Sequence, residues 1–318
     1  MDTGKYIIAV GANPAWERVL HFDALRPGEV NRAASCGGYP AGKAGNFCRA
    51  LRSLGGMAGK QLTFLGGDTG RRYLAACRAE GLPCAAVEVP EETRECINCV
   101  QADGSMTELV EPGHAISPAA AAEFRNLLIG EIPCAAAIAI CGSIPKGTEE
   151  DFLENIALYA GQAGLPLLAD NVDFCRRLRG DGQRIVVKIN ADEVRKCTGQ
   201  STVPEALEQL HERFPRLTAG ITDGPEASCL LEPFGRRIVQ FTLPRLERIV
   251  NPLGAGDTCS AVFISRLLDG FSAPEAFADA LATASASCLT DTCGDFSSQT
   301  ALDLRMKTVW HDYKTFPL

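Results

Sequence analysis

The sequence has no apolar run long enough to cross a bilayer, no surplus of basic residues, no histidine spacing suited to zinc and no glycine fingerprint for a dinucleotide. Each absence removes a class of function. The opening MDTGKYIIAVGANP is stopped by Pro14 far short of the ~20 residues of a spanning helix, so neither a membrane span nor a signal peptide is expected. Lys and Arg number 31 against 39 Asp and Glu, a net charge of −8. Nucleic acids and anionic membranes reward a basic face, so neither is expected as a partner. His21, His114, His211 and His311 are scattered, and YIIAVGANPAW lacks G-x-G-x-x-G after its first strand, which removes the usual dinucleotide oxidoreductase. Internal repeats and low-complexity segments are missing too.

Cysteine is not scarce, but its 14 positions are irregular, which excludes a disulfide framework and points to a reduced, cytoplasmic setting. Cys96 and Cys99 have C-x-x-C spacing within TRECINCVQADG, which reads as a strand running into a turn at Asp103-Gly104. Residues three apart on a strand face opposite ways, so this pair is expected to be structural.

What is present is a chain of 318 residues, 46% hydrophobic, able to bury a large core as one domain over 1–318. Apolar runs at 6–12, 62–66, 135–143, 165–171, 184–190 and 217–224 alternate with helical periodicities. That rhythm predicts an α/β fold, a mainly parallel sheet covered by helices. Phe47, Ala50, Leu51 and Leu54 predict a helix over 45–54, Ser117-Pro118 reads as an N-cap followed by proline, and Thr148 with Asp151 resembles a capping box. Segments 13–38 and 92–113 alternate polar and apolar residues without helical spacing. They are expected to form a small separate sheet, a lid over a site at the carboxyl edge of the main one.

Two stretches carry chemistry. In GGYPAGKAGN (37–46), Gly37, Gly42 and Lys43 match the phosphate-loop pattern G-x-x-x-x-G-K-[ST] except at Ala44, which cannot hold a metal. In VNPLGAGDTCSAVFISRLLDG (250–270), Gly254, Ala255 and Gly256 leave backbone N–H groups open at a helix start, an anion hole. Asp257 behind them is placed either to take a proton from a nucleophile or to cap the helix; spacing alone allows both.

This second stretch resembles the C-terminal signature of the PfkB-type carbohydrate kinases of the ribokinase-like superfamily, N/D-x-x-G-A-G-D before a helix of small and apolar residues. NPAWERVLHFDALRPGEVNRA, FLGGDTG, ETR, TELVEPG, CGSIPKG, KINADE and ITDG follow the order of its phosphosugar branch, that of 1-phosphofructokinases and tagatose-6-phosphate kinases. The resemblance implies a three-layer α/β/α fold with an inserted β-lid, and ATP- and Mg²⁺-dependent phosphorylation of a sugar hydroxyl. Its acceptor would be a ketohexose monophosphate such as fructose 1-phosphate or tagatose 6-phosphate. It implies that Asp257 is the base; with an ordinary pKa of about 3.9 it would accept the proton late and mainly orient the hydroxyl. Gly254, Ala255 and Gly256 would neutralise the transferring phosphoryl group. Asn190 and Glu193 would organise Mg²⁺ largely through water, and Lys188, Asn190, Thr222, Asp223, Gly224 and Gly256 would line the ATP side. Glu17, Gly42, Lys43, Asn46, Arg94 and Glu111 would meet the sugar, with Lys43 and Arg94 on its phosphate. Two copies would pair through the lid.

Plainer readings stand beside these. Asn190 and Glu193 fit a solvated helix start, Lys43 an exposed cation, and Arg94 a rim salt bridge to Glu92 or Glu95. The sequence departs from the branch at Glu17, where Asp is usual, at Ala41 and Ala44, where glycines are usual, at Ser228, and across 285–296. The pocket is therefore expected to be altered. A kinase for an unphosphorylated sugar or nucleoside, and a sensor that binds without turnover, remain as alternatives.

Overall fold

The computed structural model describes residues 4–148, 151–180, 182, 184–224, 226–232 and 237–316. Its main sheet holds β1 (Tyr6–Val10), β4 (Ala58–Gly66), β5 (Cys84–Val89), β8 (Ala135–Cys141), β9 (Leu167–Asp170), β10 (Ile185–Asn190), β11 (Thr218–Thr222), β12 (Ser228–Glu232), β13 (Arg237–Thr242) and β14 (Val309–Thr315). Their spatial order is β14-β13-β12-β11-β10-β9-β8-β1-β4-β5. The pairs from β5 to β11 are parallel, and β12, β13 and β14 add an antiparallel end. All six apolar runs became strands of this sheet.

The order reverses between β1 and β8: from β1 the chain first builds outward to β5, then returns to lay β8 on the other flank. A crevice opens at the carboxyl ends of the strands at such a point, and ligands bind there in open α/β sheets.

Period-two alternation sorts each central strand between two apolar layers. Ile8, Val10, Ile138 and Ile140 face a core with Phe124, Phe152, Phe174 and Leu207, from α3 (Pro118–Glu131), α4 (Phe152–Gln162), α5 (Val172–Arg177) and α7 (Val203–Arg213). α6 (Ala191–Thr198) adds Val194 to that layer. Ile7, Ala9, Ala137 and Ala139 face the other core, with Phe47, Val262, Phe263 and Phe277 from α1 (Lys43–Leu54), α8 (Ala255–Leu268) and α9 (Ala273–Ser287). Tyr73 from α2 (Gly67–Ala79) and Leu304 from α10 (Ser298–Lys307) complete it. Each fully buried large apolar side chain contributes about 1.5–3 kcal/mol. The alanines on β1 and β8 let α1 and α8 lie close to the sheet.

The two irregular segments form a second, four-stranded sheet in the order β3-β2-β6-β7, made of β2 (Ala15–Phe22), β3 (Ser35–Ala41), β6 (Glu95–Gln101) and β7 (Met106–Val110). Cys96 and Cys99 sit in β6 as free, buried thiols.

Helix starts differ in places from expectation. α1 begins at Lys43 because Gly42, at φ 103°, turns the chain there. Ser117 caps α3, its Oγ accepting from the Ala120 N–H at 3.2 Å with Pro118 at the first position. Thr148 does not cap α4. Its hydroxyl donates to the Pro145 carbonyl at 3.0 Å, and α4 starts after Asp151; the two residues between lie outside the described set.

Candidate active site

The carboxyl ends of β1, β8, β9 and β10 meet the N-termini of α1 and α8. Gly254 takes the left-handed conformation, φ 75°, at the N-cap of α8. A Cβ there would stand 3.0 Å from the Cys293 Cβ, and one on Gly256 would stand 3.0 Å from the Lys188 Nζ. Glycine is required at 254 by its left-handed backbone and this close approach, whereas at 256 the flexible Lys188 side chain could yield. Gly254, not Asp257, is the N-cap; Asp257 lies within the first turn. Its carboxylate, 6% exposed, accepts from the Asn46 Nδ2 at 2.9 Å.

Asp257 is not the ordinary carboxylate expected of it. Burial, followed by the nearby Asp170 charge, pushes it up to about 6, outweighing Lys43, Asn46 and Lys188. Asn46 is itself held: its Oδ1 accepts from the Arg49 Nη1 at 3.2 Å, and the buried Arg49 binds Glu80 through Nε at 2.7 Å and the Pro40 carbonyl through Nη2 at 2.6 Å.

Asp170, which no motif had singled out, ends β9 at the centre of this group. The Lys43 Nζ lies 3.0 Å from its Oδ1, the Lys188 Nζ 3.9 Å from its Oδ2, and the Ser260 hydroxyl donates to Oδ2 at 3.3 Å. Despite the cost of burial, Lys188 and Lys43 hold Asp170 below the usual carboxylate range. Burial alone would lower the Lys43 ammonium, but Asp170 and Asp257 raise it well above its usual range. Two aspartates and two lysines thus balance in charge, and Lys43, exposed as the plainer reading has it, is paired with Asp170.

A cavity of about 170 Å³ lies beside Lys43, lined also by Asn13, Gly42, Arg94 and Ser143. Among the described residues Arg94 forms no rim salt bridge to Glu92 or Glu95. It donates to the carbonyls of Pro14 at 3.3 Å, Glu111 at 3.2 Å and Asn13 at 3.1 Å. Glu92 instead accepts from the Thr69 N–H at 2.5 Å and Glu95 pairs with Arg72. The Glu111 carboxylate accepts from the Glu95 N–H at 2.8 Å.

On the small sheet, Glu17 receives hydrogen bonds from the Tyr39 hydroxyl and, at 2.6 Å, from the Asn98 Nδ2. Burial raises its pKa, only partly offset by those two donors. The Tyr39 oxygen lies 3.5 Å from the Cys293 Sγ, next to Gly254, so the Glu17 cluster adjoins the start of α8.

The loop methyls are accommodated. Ala41 and Ala44 are 1% and 4% exposed, and a Cβ on Gly11 would come 2.4 Å from the Ala44 Cβ. The methyl of Ala44 occupies the space a side chain at position 11 would need.

The model of the pfkB family carbohydrate kinases matches residues 6–301. The chain belongs to the PfkB family of carbohydrate kinases. It is a sugar kinase, a phosphotransferase with an alcohol group as acceptor. The 1-phosphofructokinase of Bacillus subtilis is 27% identical over 300 residues, covering 91% of this chain and 94% of that protein. An ATP-dependent 6-phosphofructokinase isozyme 2 of Mycobacterium tuberculosis is 28% identical over 219 residues, covering 68% and 64%. The fold is that of Escherichia coli phosphofructokinase-2, with TM-score 0.84 at 19% identity over 95% of this chain and 99% of that one. A possible 1-phosphofructokinase of Thermotoga maritima gives TM-score 0.84 at 19% identity, over 97% and 100%.

In this PfkB kinase, Asn190 and Glu193 form a reciprocal capping box at the start of α6: each side chain accepts from the other's N–H at 2.9 Å. Among the described residues no three His, Cys, Asp or Glu side chains are grouped to hold a metal directly. An amide and a carboxylate with lone pairs to spare suit a hydrated Mg²⁺, which retains several waters. Thr222, Asp223 and Gly224 sit where β11 ends, with Asp223 accepting from the Arg195 Nη2 at 3.5 Å. Ser228 opens β12 with its hydroxyl buried. Asp170, Tyr39, Asn98 and Cys293 had escaped notice. For Asp170, a usable signal existed: a carboxylate at the carboxyl end of an apolar strand.

Proposed function

We propose that this kinase transfers the γ-phosphoryl group of ATP to a hydroxyl of a ketohexose monophosphate, fructose 1-phosphate or tagatose 6-phosphate, giving the bisphosphate. The observation that carries this reading is Asp257: buried, bound by Asn46 and pushed up to about 6, directly inside the N-terminus of α8. Such a carboxylate is mostly ionised at neutral pH yet more basic than a surface one, so it accepts the hydroxyl proton more readily than an ordinary aspartate. Asn46 fixes the direction from which it does so. In this reading the N–H groups of Gly256 and Ala255, the latter donating to the Pro252 carbonyl at 3.4 Å, meet the charge that builds on the transferring group, and electrostatics of this kind supply the larger share of such a transfer. Asn190 and Glu193 would hold Mg²⁺ through water, and the ion neutralises phosphate charge when bound. Lys188, Thr222, Asp223 and Gly224 line the nucleotide side in this reading.

Glu17, with Asn98 and Tyr39, meets sugar hydroxyls, while Arg94 and Lys43 edge the cavity that takes the sugar's own phosphate. The small sheet then acts as a lid. Its outer strand β7 leaves Leu109 and Val110 more than half exposed, a surface on which two copies would pair. One observation favours an unphosphorylated acceptor instead: Lys43 is engaged by Asp170, and Arg94 by three carbonyls.

A coupled ADP-release screen of sugars and sugar phosphates with Mg-ATP decides between them. Turnover with a ketohexose monophosphate at least tenfold above its parent sugar is the expected result; the reverse preference establishes the second reading, and no turnover with any acceptor overturns both.

A further inference from the structure

Outside the site, two cysteines lie in sulfur contact. Cys175 in α5 and Cys197 in α6 place their Sγ atoms 3.0 Å apart. A disulfide needs about 2.05 Å, so closure asks the sulfurs to approach by roughly 1 Å. Cys175 is buried and Cys197 only partly so, which lets a small oxidant meet Cys197 first. The Arg176 Nη2 donates to the Lys196 carbonyl at 3.3 Å, tying the two helices and holding a guanidinium beside Cys197. The Cys197 thiol is held below the usual thiol range by its hydrogen bond with Cys175 and then by Arg176 and Arg213, against the cost of burial. That is the microenvironment of a reactive thiol with a resolving partner at hand.

We propose that Cys175 and Cys197 are a peroxide-reactive pair that closes into a reversible disulfide. The Cys197 thiolate attacks one peroxide oxygen, the O–O bond breaks, and the departing oxygen leaves as water after taking a proton. The Cys175 sulfur then attacks the resulting sulfenic sulfur; the S–O bond breaks, the hydroxyl leaves as a second water with the Cys175 proton, and the S–S bond forms. Two electrons from the thiol pair reduce one peroxide, and a dithiol reverses the bond by exchange.

The position gives the bond a route to the site. α5 follows Asp170 directly and is capped by Asn171, whose Nδ2 also donates to the Gly142 carbonyl at 2.6 Å. α6 begins at Asn190 and Glu193. A bond between these helices therefore loads both strand ends that carry polar groups of the centre. This consequence rests on the kinase reading; the disulfide does not.

The test treats the full chain with hydrogen peroxide, alkylates the remaining thiols and maps unreduced peptides by mass spectrometry. A peptide pair joining Cys175 to Cys197, two hydrogens lighter than its reduced parts, lost with dithiothreitol and absent in Cys197→Ser, is expected. Failure of this pair to form, or sulfinic acid at Cys197 without it, overturns the proposal. Circular dichroism of Cys197→Ser and of Cys175→Ala keeps a folding defect distinguishable. In the oxidised wild type, KM for Mg-ATP is expected to rise about fivefold or more and to recover with dithiothreitol. A joined peptide with unchanged KM overturns the route to the site.

Discussion

Two carboxylates, the buried Asp257 at the head of α8 and the half-buried Glu17 on the small sheet, sit in opposite kinds of surroundings. Both are raised by burial. Asp257 lies among full charges, Asp170 on one side and Lys43 and Lys188 on the other, whereas Glu17 is met by the neutral donors Tyr39 and Asn98. The difference teaches how one fold separates its tasks. Charges tied to strand ends and a helix start make a centre whose proton affinity is set electrostatically. Neutral hydrogen bonds across a sheet make the cluster proposed to meet the sugar.

The sharpest way to break the comparison is Asp257→Asn, expected to lower kcat by about 10² or more while KM values stay within a few-fold. Unchanged turnover would remove Asp257 from the chemistry. Next, Glu17→Gln should raise KM for the sugar about tenfold, by weakening a charged hydrogen-bond acceptor, and leave KM for Mg-ATP alone. An equal rise in both would place Glu17 with the centre instead.

A smaller effect concerns the loop. Gly11→Ala should cost about 1–3 kcal/mol in urea unfolding, because its methyl meets Ala44, and Ala44→Gly in the same chain should restore most of that loss. Additive losses would show that the two positions do not compete. Smallest is a shift in pH dependence. The base must be ionised, so kcat/KM should fall as pH drops through about 6 in the wild type. Asp170→Asn removes the charge that helps raise Asp257 and frees Lys43 to pair with it, moving that limb to lower pH. A limb that stays in place would assign it to another group.

The proposed phosphoryl-transfer end was legible as a local structure because its residues are contiguous: Gly254 to Asp257 carry the turn, the helix start and the carboxylate in four positions. The parallel strands were legible too, since strands covered on both faces read as unbroken apolar runs. The partners of Glu17 were not. Tyr39 and Asn98 are 22 and 81 positions away and meet it only through the register of β2 with β3 and β6. Asp170 was missed for a different reason: LADN reads as any turn into a helix, its place at the end of an apolar strand being the one cue, and its part shows once Lys43 from the start of α1 and Lys188 from β10 arrive beside it. At the antiparallel end β12 and β13 pair locally, Glu232 with Arg237, and only β14, which lays 309–315 against 237–242, depends on long-range pairing.

The hydrogen bonds of Asn46 have one more implication. A side-chain amide has two ends of nearly equal shape, and only one of them can donate to a carboxylate. Arg49 can offer protons but never accept them, so it admits only the oxygen end and rejects the reversed amide. The guanidinium, 1% exposed and fixed by Glu80 at the end of α2, therefore decides which face of Asn46 the Asp257 carboxylate sees. A residue that touches no substrate thereby acts as a reading key: replaced by a group that could also accept, it would let the amide turn over and aim a lone pair at Asp257.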